Sequence, residues 1–431
     1  MTAMIRRAAQ VTLILALVVG AWISRPVAAE PDPSVGFEPE LPTFVGCIAQ
    51  ADRAIGGTLS IGSVVRGDVT LTRVPAADLD PLVAPIDLAG GATVSLDELG
   101  AAGTIGVLAE MPTADAGAAV VLSGEAVVAA ASCTPASSES IMVLGGSTGN
   151  GEELDLVLTN PYAVDAVVSI GSSSENGEDS ASEIASVLVP ARGTVVREID
   201  SLLPLRQSMS FRISTERGAI HAALVQRTVD DIALSEGVAP AQDWWLPALA
   251  VRNSTSHLVI ATDSPLSVSV QIDTYRAGTT TEAAFEGTID PRSQIDLPID
   301  ELGGAPVGLR ISSDAPVAVS FVVDGERTRA VSPATTLSAE WILPGTGSAP
   351  SGRAWVFNPG EVEAELVLQP LTEGQPARAA AVPSGAAVSI SIDSSGSGLL
   401  IRSSSEIAVM WSSRSGGLSL VRGAPTSVLV E

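Results

Sequence analysis

The stretch ARGTVVREIDSLL, residues 191–203, joins an alternating apolar and polar run to a short turn that begins at an aspartate. Alternation with a period of two is typical of a half-buried strand. The pattern recurs as GGATVSLDELG (90–100), PRSQIDLPIDELG (291–303) and PSGAAVSISIDSSG (383–396). The turn aspartates are Asp97, Asp200, Asp300 and Asp393, at spacings of 103, 100 and 93 residues. A period near 100 residues is typical of one immunoglobulin-type sandwich domain.

Two further markers recur in the last three copies. An apolar strand breaks at a turn dipeptide, which is Asn160-Pro161, Ser264-Pro265 or Asn358-Pro359. Proline fixes φ at such a corner, and the preceding Asn or Ser side chain can bond the local backbone. The same copies open with IMVLGG (141–146), WWLPAL (244–249) and WILPGT (341–346). We therefore predict an all-β protein of four tandem immunoglobulin- or fibronectin-III-like β-sandwich repeats.

The markers divide the chain into an N-terminal segment, a linker and four repeats. Each repeat is expected to hold six or seven strands in two packed sheets. The predicted boundaries are 1–29 for a signal peptide or N-terminal membrane anchor, 30–46 for a Pro-rich linker, and 47–136, 137–239, 240–336 and 337–431 for repeats 1 to 4.

The composition is strongly acidic and poor in aromatic residues. The chain carries 49 Asp and Glu against 23 Lys and Arg, a net charge of −26. Such a chain repels a phosphate backbone, so nucleic acid is excluded as a partner, and an anionic membrane surface is disfavoured. Hydrophobic residues make up 46% of the chain and aromatic residues 3%. The cores must therefore be filled by Val, Ile, Leu and Ala.

The N-terminus carries the pattern of an export signal. Arg6 and Arg7 precede an apolar run over residues 8–23, and the cleavage pattern Val27, Ala28 and Ala29 follows. That run is shorter than the roughly 20 residues that span a bilayer, which favours a signal peptide cleaved after Ala29. The alternative is a retained anchor, which would be the chain's only membrane contact. Either interpretation predicts a protein outside the cytoplasm, secreted or held at the outer face of the cytoplasmic membrane or cell wall.

The two cysteines, Cys47 and Cys133, bracket the first repeat, and the chain has no third. In an exported protein this usage predicts a disulfide. A zinc site is the weaker interpretation, because two cysteines without nearby histidines cannot complete a four-ligand shell.

The repeated opening motifs, the Asn-Pro corners, the leader and the Arg-only, Ala-rich composition together resemble an actinobacterial secreted-protein family, domain-of-unknown-function family 5719. The likeness spans most of residues 47–431 and rests on short structural motifs. It implies an actinobacterial cell-envelope setting. It transfers no catalytic or binding residues.

One string matches a catalytic motif. Residues 145–149, GGSTG, fit the G-x-S-x-G pattern of a nucleophile elbow around Ser147. That elbow needs a helix after the serine, whereas the residues that follow here predict a strand. A triad also needs a histidine base, and the chain offers only His221 and His257. A serine hydrolase is therefore the least favoured function.

The turn aspartates Asp97, Asp200, Asp300 and Asp393 are interpreted as structural caps that accept hydrogen bonds from the N–H groups of their own turns. Calcium binding is the alternative, but no EF-hand pattern accompanies them. No metal or cofactor is predicted.

The leading hypothesis is a non-enzymatic, exported cell-envelope protein that acts as a structural spacer or protein-interaction scaffold. Its partners would be other envelope proteins or cell-wall glycan. Trp244 and Trp341 occupy the same place in two repeats, which predicts packing roles. The main alternative is an array of carbohydrate-binding modules, whose platforms would be Trp355 and Trp411.

Overall fold

The computed structural model describes most of the chain between Thr43 and Pro425, and residues Pro42–Glu431 form one compact unit. The described ranges are 43–51, 56–63, 69–74, 82–84, 92–96, 103–111, 116–123, 128–137, 139–179, 181–247, 254–276, 279–302, 308–325, 329–344, 352–371, 374–392, 398–413 and 419–425. The predicted leader and residues 30–42 of the predicted linker lie outside them. Within these ranges no helix is long and apolar enough to cross a membrane.

Repeats 1 and 2 are built from short strands. Those of repeat 1 are β1 (Thr43–Ala51), β2 (Gly56–Ser63), β3 (Val69–Val74), β4 (Leu82–Ala84), β5 (Ala92–Ser95), β6 (Gly103–Met111), β7 (Ala116–Ser123), β8 (Val128–Ser132) and β9 (Thr134–Pro135). Those of repeat 2 are β10 (Ser140–Gly146), β11 (Glu153–Thr159), β12 (Ala166–Ser174), β13 (Gly177–Asp179), β14 (Ser186–Val189), β15 (Thr194–Glu198), β16 (Met209–Arg217), β17 (His221–Arg227) and β18 (Ile232–Glu236). Strand β1 begins at Thr43, inside the predicted linker, so repeat 1 starts earlier than the sequence pattern indicates.

Repeats 3 and 4 each have one long strand where repeat 1 has two, β6 and β7, because residues 308–325 and 398–413 stay extended throughout. Repeat 3 contains β19 (Ala241–Pro247), β20 (Ser254–Thr262), β21 (Val268–Arg276), β22 (Thr279–Ile289), β23 (Gln294–Pro298), a 3-10 turn (Ile299–Leu302), β24 (Gly308–Gly325) and β25 (Arg329–Pro333). Repeat 4 contains β26 (Ser338–Pro344), β27 (Gly352–Asn358), β28 (Ala364–Pro370), β29 (Arg378–Val382), β30 (Ala386–Ile392), β31 (Gly398–Ser413), β32 (Ser419–Arg422) and β33 (Ala424–Pro425).

All four repeats share one antiparallel strand order. The strands of each repeat fall into two groups, which we call sheet I and sheet II. In repeat 1, sheet I runs β4-β3-β6-β1-β9 and sheet II runs β5-β2-β7-β8. Repeat 2 repeats this order, with β10, β16 and β12 in sheet I and β15, β11, β17 and β18 in sheet II. In repeat 3 the first part of β24 pairs with β19 and β21, and its last part with β20 and β25. The all-β prediction is confirmed.

The immunoglobulin or fibronectin-III topology is not confirmed. In the constant-type immunoglobulin fold the first two strands share a sheet. Here β1 pairs with β6 in sheet I, while β2 pairs with β5 and β7 in sheet II. Periodicity along a strand predicts which side chains are buried, but it does not predict which distant strand will be the neighbour.

The four repeats close into a ring with a four-bladed, propeller-like arrangement, which corrects the expectation of repeats in a row. Sheet I of each repeat packs on sheet II of the next. A Cβ placed on Gly46 would lie 2.3 Å from the His221 ring, and one on Gly308 would lie 2.4 Å from the Phe357 ring. Repeat 4 returns to repeat 1, since a Cβ on Gly62 would lie 2.8 Å from Ile342.

The edge strands that close sheet II of each repeat, β8, β18, β25 and β32, lie beside one another around the centre of the ring. The buried side chains that fill the repeats are mostly Val, Ile, Leu and Ala, as the composition predicts. The core of repeat 3 also takes in Met142 and Leu144 from repeat 2 and Met410 from repeat 4. The cores therefore run on across the junctions between repeats.

Candidate functional site

The Ser147 loop joins β10 to β11, so a strand follows the serine, as the sequence predicts. Ser147 is 2% exposed. Its Oγ is bonded to the Glu152 carboxylate, lies 3.0 Å from the Arg206 carbonyl oxygen and accepts the Gly149 N–H at 3.2 Å. These contacts hold the hydroxyl inside the loop instead of presenting it to a substrate.

The histidine that a triad would need lies at the far end of β17. The Ser147 N–H donates to Gln226 Oε1 at 3.1 Å, and His221 is five residues earlier on that strand, roughly 17 Å away at strand geometry. Burial lowers the pKa of His221 to about 3. A neutral, enclosed imidazole at that distance cannot act as a base for Ser147.

His221 lines a small enclosed cavity between repeats 1 and 2. The cavity has a volume of about 20 Å³ and also contacts Cys47, Ser132 and Glu236. Both ring nitrogens of His221 and the Glu236 Oε2 atom lack a hydrogen-bond partner among the described residues. A space of this size and polarity suits about one buried water molecule, and nothing larger.

The turn aspartates are not brought together. Asp200 Oδ1 accepts the N–H of Leu154 at 3.2 Å, so its bond ties the turn to β11. Asp300 is exposed in the 3-10 turn, whereas Asp97 and Asp393 lie outside the described residues. Capping within each aspartate's own turn therefore stays a prediction. The described ranges contain no group of three His, Cys, Asp or Glu side chains arranged to hold a metal.

The predicted disulfide between Cys47 and Cys133 is present, with Cα atoms 4.5 Å apart. Cys47 lies on β1 of sheet I, and Cys133 follows β8 of sheet II. The bond therefore fastens the two sheets of repeat 1 together.

The predicted packing roles of Trp244 and Trp341 are confirmed. Their indole N–H groups donate to the carbonyl oxygens of Val317 at 2.7 Å and Ile407 at 3.2 Å. Trp411 is fully buried, and the half-buried Trp355 donates its N–H to Ser412 Oγ at 3.0 Å. Neither residue forms the exposed platform that the carbohydrate-binding array requires.

Sequence reasoning assigned no role to Trp245, which is half-buried at the junction of repeats 3 and 4. Its ring lies 6.3 Å from that of Tyr275 and 6.3 Å from that of Phe357, and the Arg310 guanidinium stands 5.4 Å over it. The signal was available, because adjacent residues of a strand face opposite sides. If Trp244 is in the core, Trp245 must face outward from its sheet.

A charged network crosses the junction of repeats 2 and 3. His257 Nε2 lies 3.0 Å from Asp324 Oδ2, and its Nδ1 is bonded to Asp296. Desolvation lowers the pKa of His257, but the bonds to these carboxylates outweigh it and raise the pKa to about 9. Arg329 bonds Asp324 at 2.9 Å, and its backbone N–H donates to Asp231 Oδ2 at 3.0 Å. Of these bonds, the one from the Arg329 N–H to Asp231 joins repeat 3 to repeat 2.

A family model described as "Family of unknown function (DUF5719)" matches residues 94–336, more than half of the 431-residue chain. The chain belongs to DUF5719. The matched segment runs from the fifth strand of repeat 1 to the end of repeat 3, and it includes both the Ser147 loop and the network around His257. No curated protein matches the chain.

Proposed function

We propose that this DUF5719 protein is a non-enzymatic scaffold of the cell envelope that presents equivalent corners of its repeats to protein partners. A closed ring is compact, which favours a scaffold over an extended spacer. The burial of Ser147 and the distance of His221 from it support a role without catalysis.

One observation carries this proposal: three repeats expose an apolar residue at the same corner. Val164, Leu266 and Val362 are 62%, 73% and 67% exposed. The Nδ2 group of Asn160 donates to the Val164 carbonyl at 2.7 Å, and that of Asn358 to the Val362 carbonyl at 2.8 Å. In the third corner the Leu266 N–H donates to Ser264 Oγ at 3.1 Å. Local side-chain bonds thus brace each corner while its apolar side chain faces solvent, and equivalent weak sites on one body bind with high avidity.

The test is complementation of a strain that lacks the gene. A triple variant, Val164→Asp, Leu266→Asp and Val362→Asp, should fail to restore the phenotype and to retain envelope partners after cross-linking. Val229→Asp is the matched control, because Val229 is 94% exposed but lies in a turn outside this set. Ser147→Ala should complement fully. An active-site serine probe that labels the wild type but not Ser147→Ala would show instead that the protein is an enzyme.

We further propose that the chain works outside the cytoplasm, secreted or anchored by its N-terminal segment, in an actinobacterial envelope. The Cys47–Cys133 disulfide supports this setting, because such bonds persist mainly in oxidising compartments. A thiol-blocking assay on intact cells should find both cysteines oxidised, and a protease added outside the cell should degrade the chain. Protection from the protease with free thiols would contradict the proposal.

A further inference from the structure

The outward face of sheet I in repeat 3 carries side chains in two rows across four strands. In one row Asp243 lies opposite Ser312, which lies opposite Gln271, and Gln271 lies opposite Glu286. In the next row Trp245 lies opposite Arg310, which lies opposite Asp273. Tyr275 follows Asp273 on the same face, two residues along β21. We call this set the repeat 3 face.

The repeat 3 face borders an open groove of about 630 Å³. Polar residues make up most of its lining, among them Ser269, Gln271, Glu286, Thr288, Ser312 and Asp314. This volume lies within the range of small-molecule sites. The hydroxyl, amide and carboxylate groups of the groove therefore lie one row away from Trp245 and two rows away from Tyr275, both of which stand beside the groove and not in its lining.

The aromatic pair is peculiar to this junction. Trp245 pairs with Thr335, which follows the last strand of sheet II in repeat 3. The residues that make the equivalent pair in the other repeats are Gly46, Met142 and Ile342. At each of those three positions the residue is small or apolar. Only here, among the four equivalent positions, is the residue a tryptophan, half-buried with part of its surface in solvent. Its ring lies 6.3 Å from that of Tyr275, and Arg310, which stands over it, is already paired to Asp243 at 2.8 Å.

Strained backbone at the edge of the same face holds it in shape. Ala283, a non-glycine residue in β22, has a φ of 49°. The buried carboxylate of Asp273 accepts its N–H at 2.8 Å and a proton of the Gln271 amide at 2.8 Å. The pairing of β21 with β22 shifts register at this point. Strain of this kind costs on the order of 1–3 kcal/mol, and bulges re-aim side chains at binding sites.

We propose that the repeat 3 face binds a neutral oligosaccharide. A pyranose ring has a face of C–H bonds that packs on an aromatic side chain and a rim of hydroxyls that bond amides, carboxylates and guanidinium groups. Trp245 and Tyr275 supply the aromatic surface, and Gln271, Glu286 and Asp243 supply the polar groups. Carboxylates outnumber the single Arg310 here, and the chain carries a net charge of −26, so anionic sugars are disfavoured.

The experiment is a titration of the purified chain with four neutral tetrasaccharides, cellotetraose, chitotetraose, mannotetraose and maltotetraose, followed by tryptophan fluorescence and calorimetry. At least one should bind with a Kd on the order of 0.1 mM. Trp245→Ala should weaken that binding by more than about tenfold, and Gln271→Ala, which removes a side chain outside the core, by about threefold or more. Trp355→Phe is the matched control and should bind as the wild type does.

Absence of binding by all four sugars would overturn the proposal, and so would unchanged affinity in Gln271→Ala and Trp245→Ala. A protein partner lost on Trp245→Ala without any sugar binding would likewise overturn it and assign the face to protein recognition. The corners at Val164, Leu266 and Val362 lie elsewhere, so the scaffold proposal and this one can fail independently.

Discussion

Asp231 lies in the turn before β18 and is 3% exposed at the junction of repeats 2 and 3. Burial raises the pKa of this carboxyl to about 7, although its bond to the Arg329 N–H opposes the shift. The unfolded chain loses the proton near pH 4, so the fold holds a proton that the unfolded state does not between about pH 4 and 7. Stability is therefore lost as the pH rises through that window.

We expect Asp231→Asn to raise the free energy of unfolding at pH 8 by up to about 4 kcal/mol and to leave it nearly unchanged at pH 4. Urea unfolding of both proteins at the two pH values measures the difference. Asp230→Asn removes the neighbouring exposed carboxyl and is the control. A gain of equal size at both pH values would show that the effect does not come from ionisation.

The two histidines offer a direct test of the junction environments, because a chain with only two gives a simple imidazole NMR spectrum. His257 should titrate near pH 9 and His221 near pH 3. Since the folded pKa of His257 is raised, its contribution to stability is complete below about pH 6.5 and is lost as the pH rises through 9.

His257→Gln should therefore lower the free energy of unfolding by about 2 kcal/mol at pH 6 and by much less at pH 10. Asp324→Asn should lower the pKa of His257, because it removes one of the two carboxylates that raise it. An ordinary pKa near 6.5 for His257 would show that the network is not formed in solution.

At the scale of strands, the sequence predicts the alternating elements, the period and the Asn-Pro corners because these depend on neighbouring residues. It does not predict the pairing of β1 with β6, which begins some 60 residues later, because many distant strands have the same alternation. A signal for the junctions was present in glycines within strands, such as Gly46, Gly62 and Gly117. Glycine inside a strand marks a place where a neighbour approaches closely.

The disulfide has an apolar counterpart in the other repeats. Cys47 and Cys133 correspond to Leu246 and Ala334 in repeat 3. The backbone N–H of Ala334 donates to the Val319 carbonyl, and the N–H of Cys133 makes the equivalent bond to the Ala118 carbonyl. The same two positions can therefore be joined by a covalent bond or by apolar packing.

Replacing both cysteines by serine should lower the free energy of unfolding by about 2–5 kcal/mol, because a cross-link over 86 residues is lost and polar atoms enter the core. Cys47→Leu with Cys133→Ala, which copies repeat 3, should recover part of that loss. Thermal unfolding of the oxidised wild type and both variants measures the order of their stabilities. If the Leu–Ala variant is less stable than the serine variant, the repeats do not have interchangeable cores.

At the scale of the whole molecule, repetition along the chain predicts the number of blades but not that they close on themselves. Closure depends on contacts between repeats 4 and 1, such as Ile342 with Gly62, which lie some 280 residues apart. The repeat 3 face needs only the junction with repeat 4, the next repeat along the chain, where Phe357 packs against Tyr275 with ring centroids 5.0 Å apart.

The centre of the ring provides the sharpest test of closure, since Glu236 of repeat 2 meets Arg422 of repeat 4 there at 3.2 Å. Burial raises the pKa of Glu236, and the guanidinium opposes it. At pH 9, Glu236→Ala or Arg422→Ala should each lower the free energy of unfolding by about 3–5 kcal/mol, because one buried charge is left alone.

The double variant, Glu236→Met with Arg422→Met, should lose far less than the sum of the two single variants, because no unpaired charge remains. The exposed pair Asp243–Arg310 is the control, with a coupling expected to stay below about 1 kcal/mol. The two residues come from opposite blades and meet only where those blades converge on the centre of the ring. Additive losses at Glu236 and Arg422 would therefore mean that repeats 2 and 4 do not meet at the centre in solution.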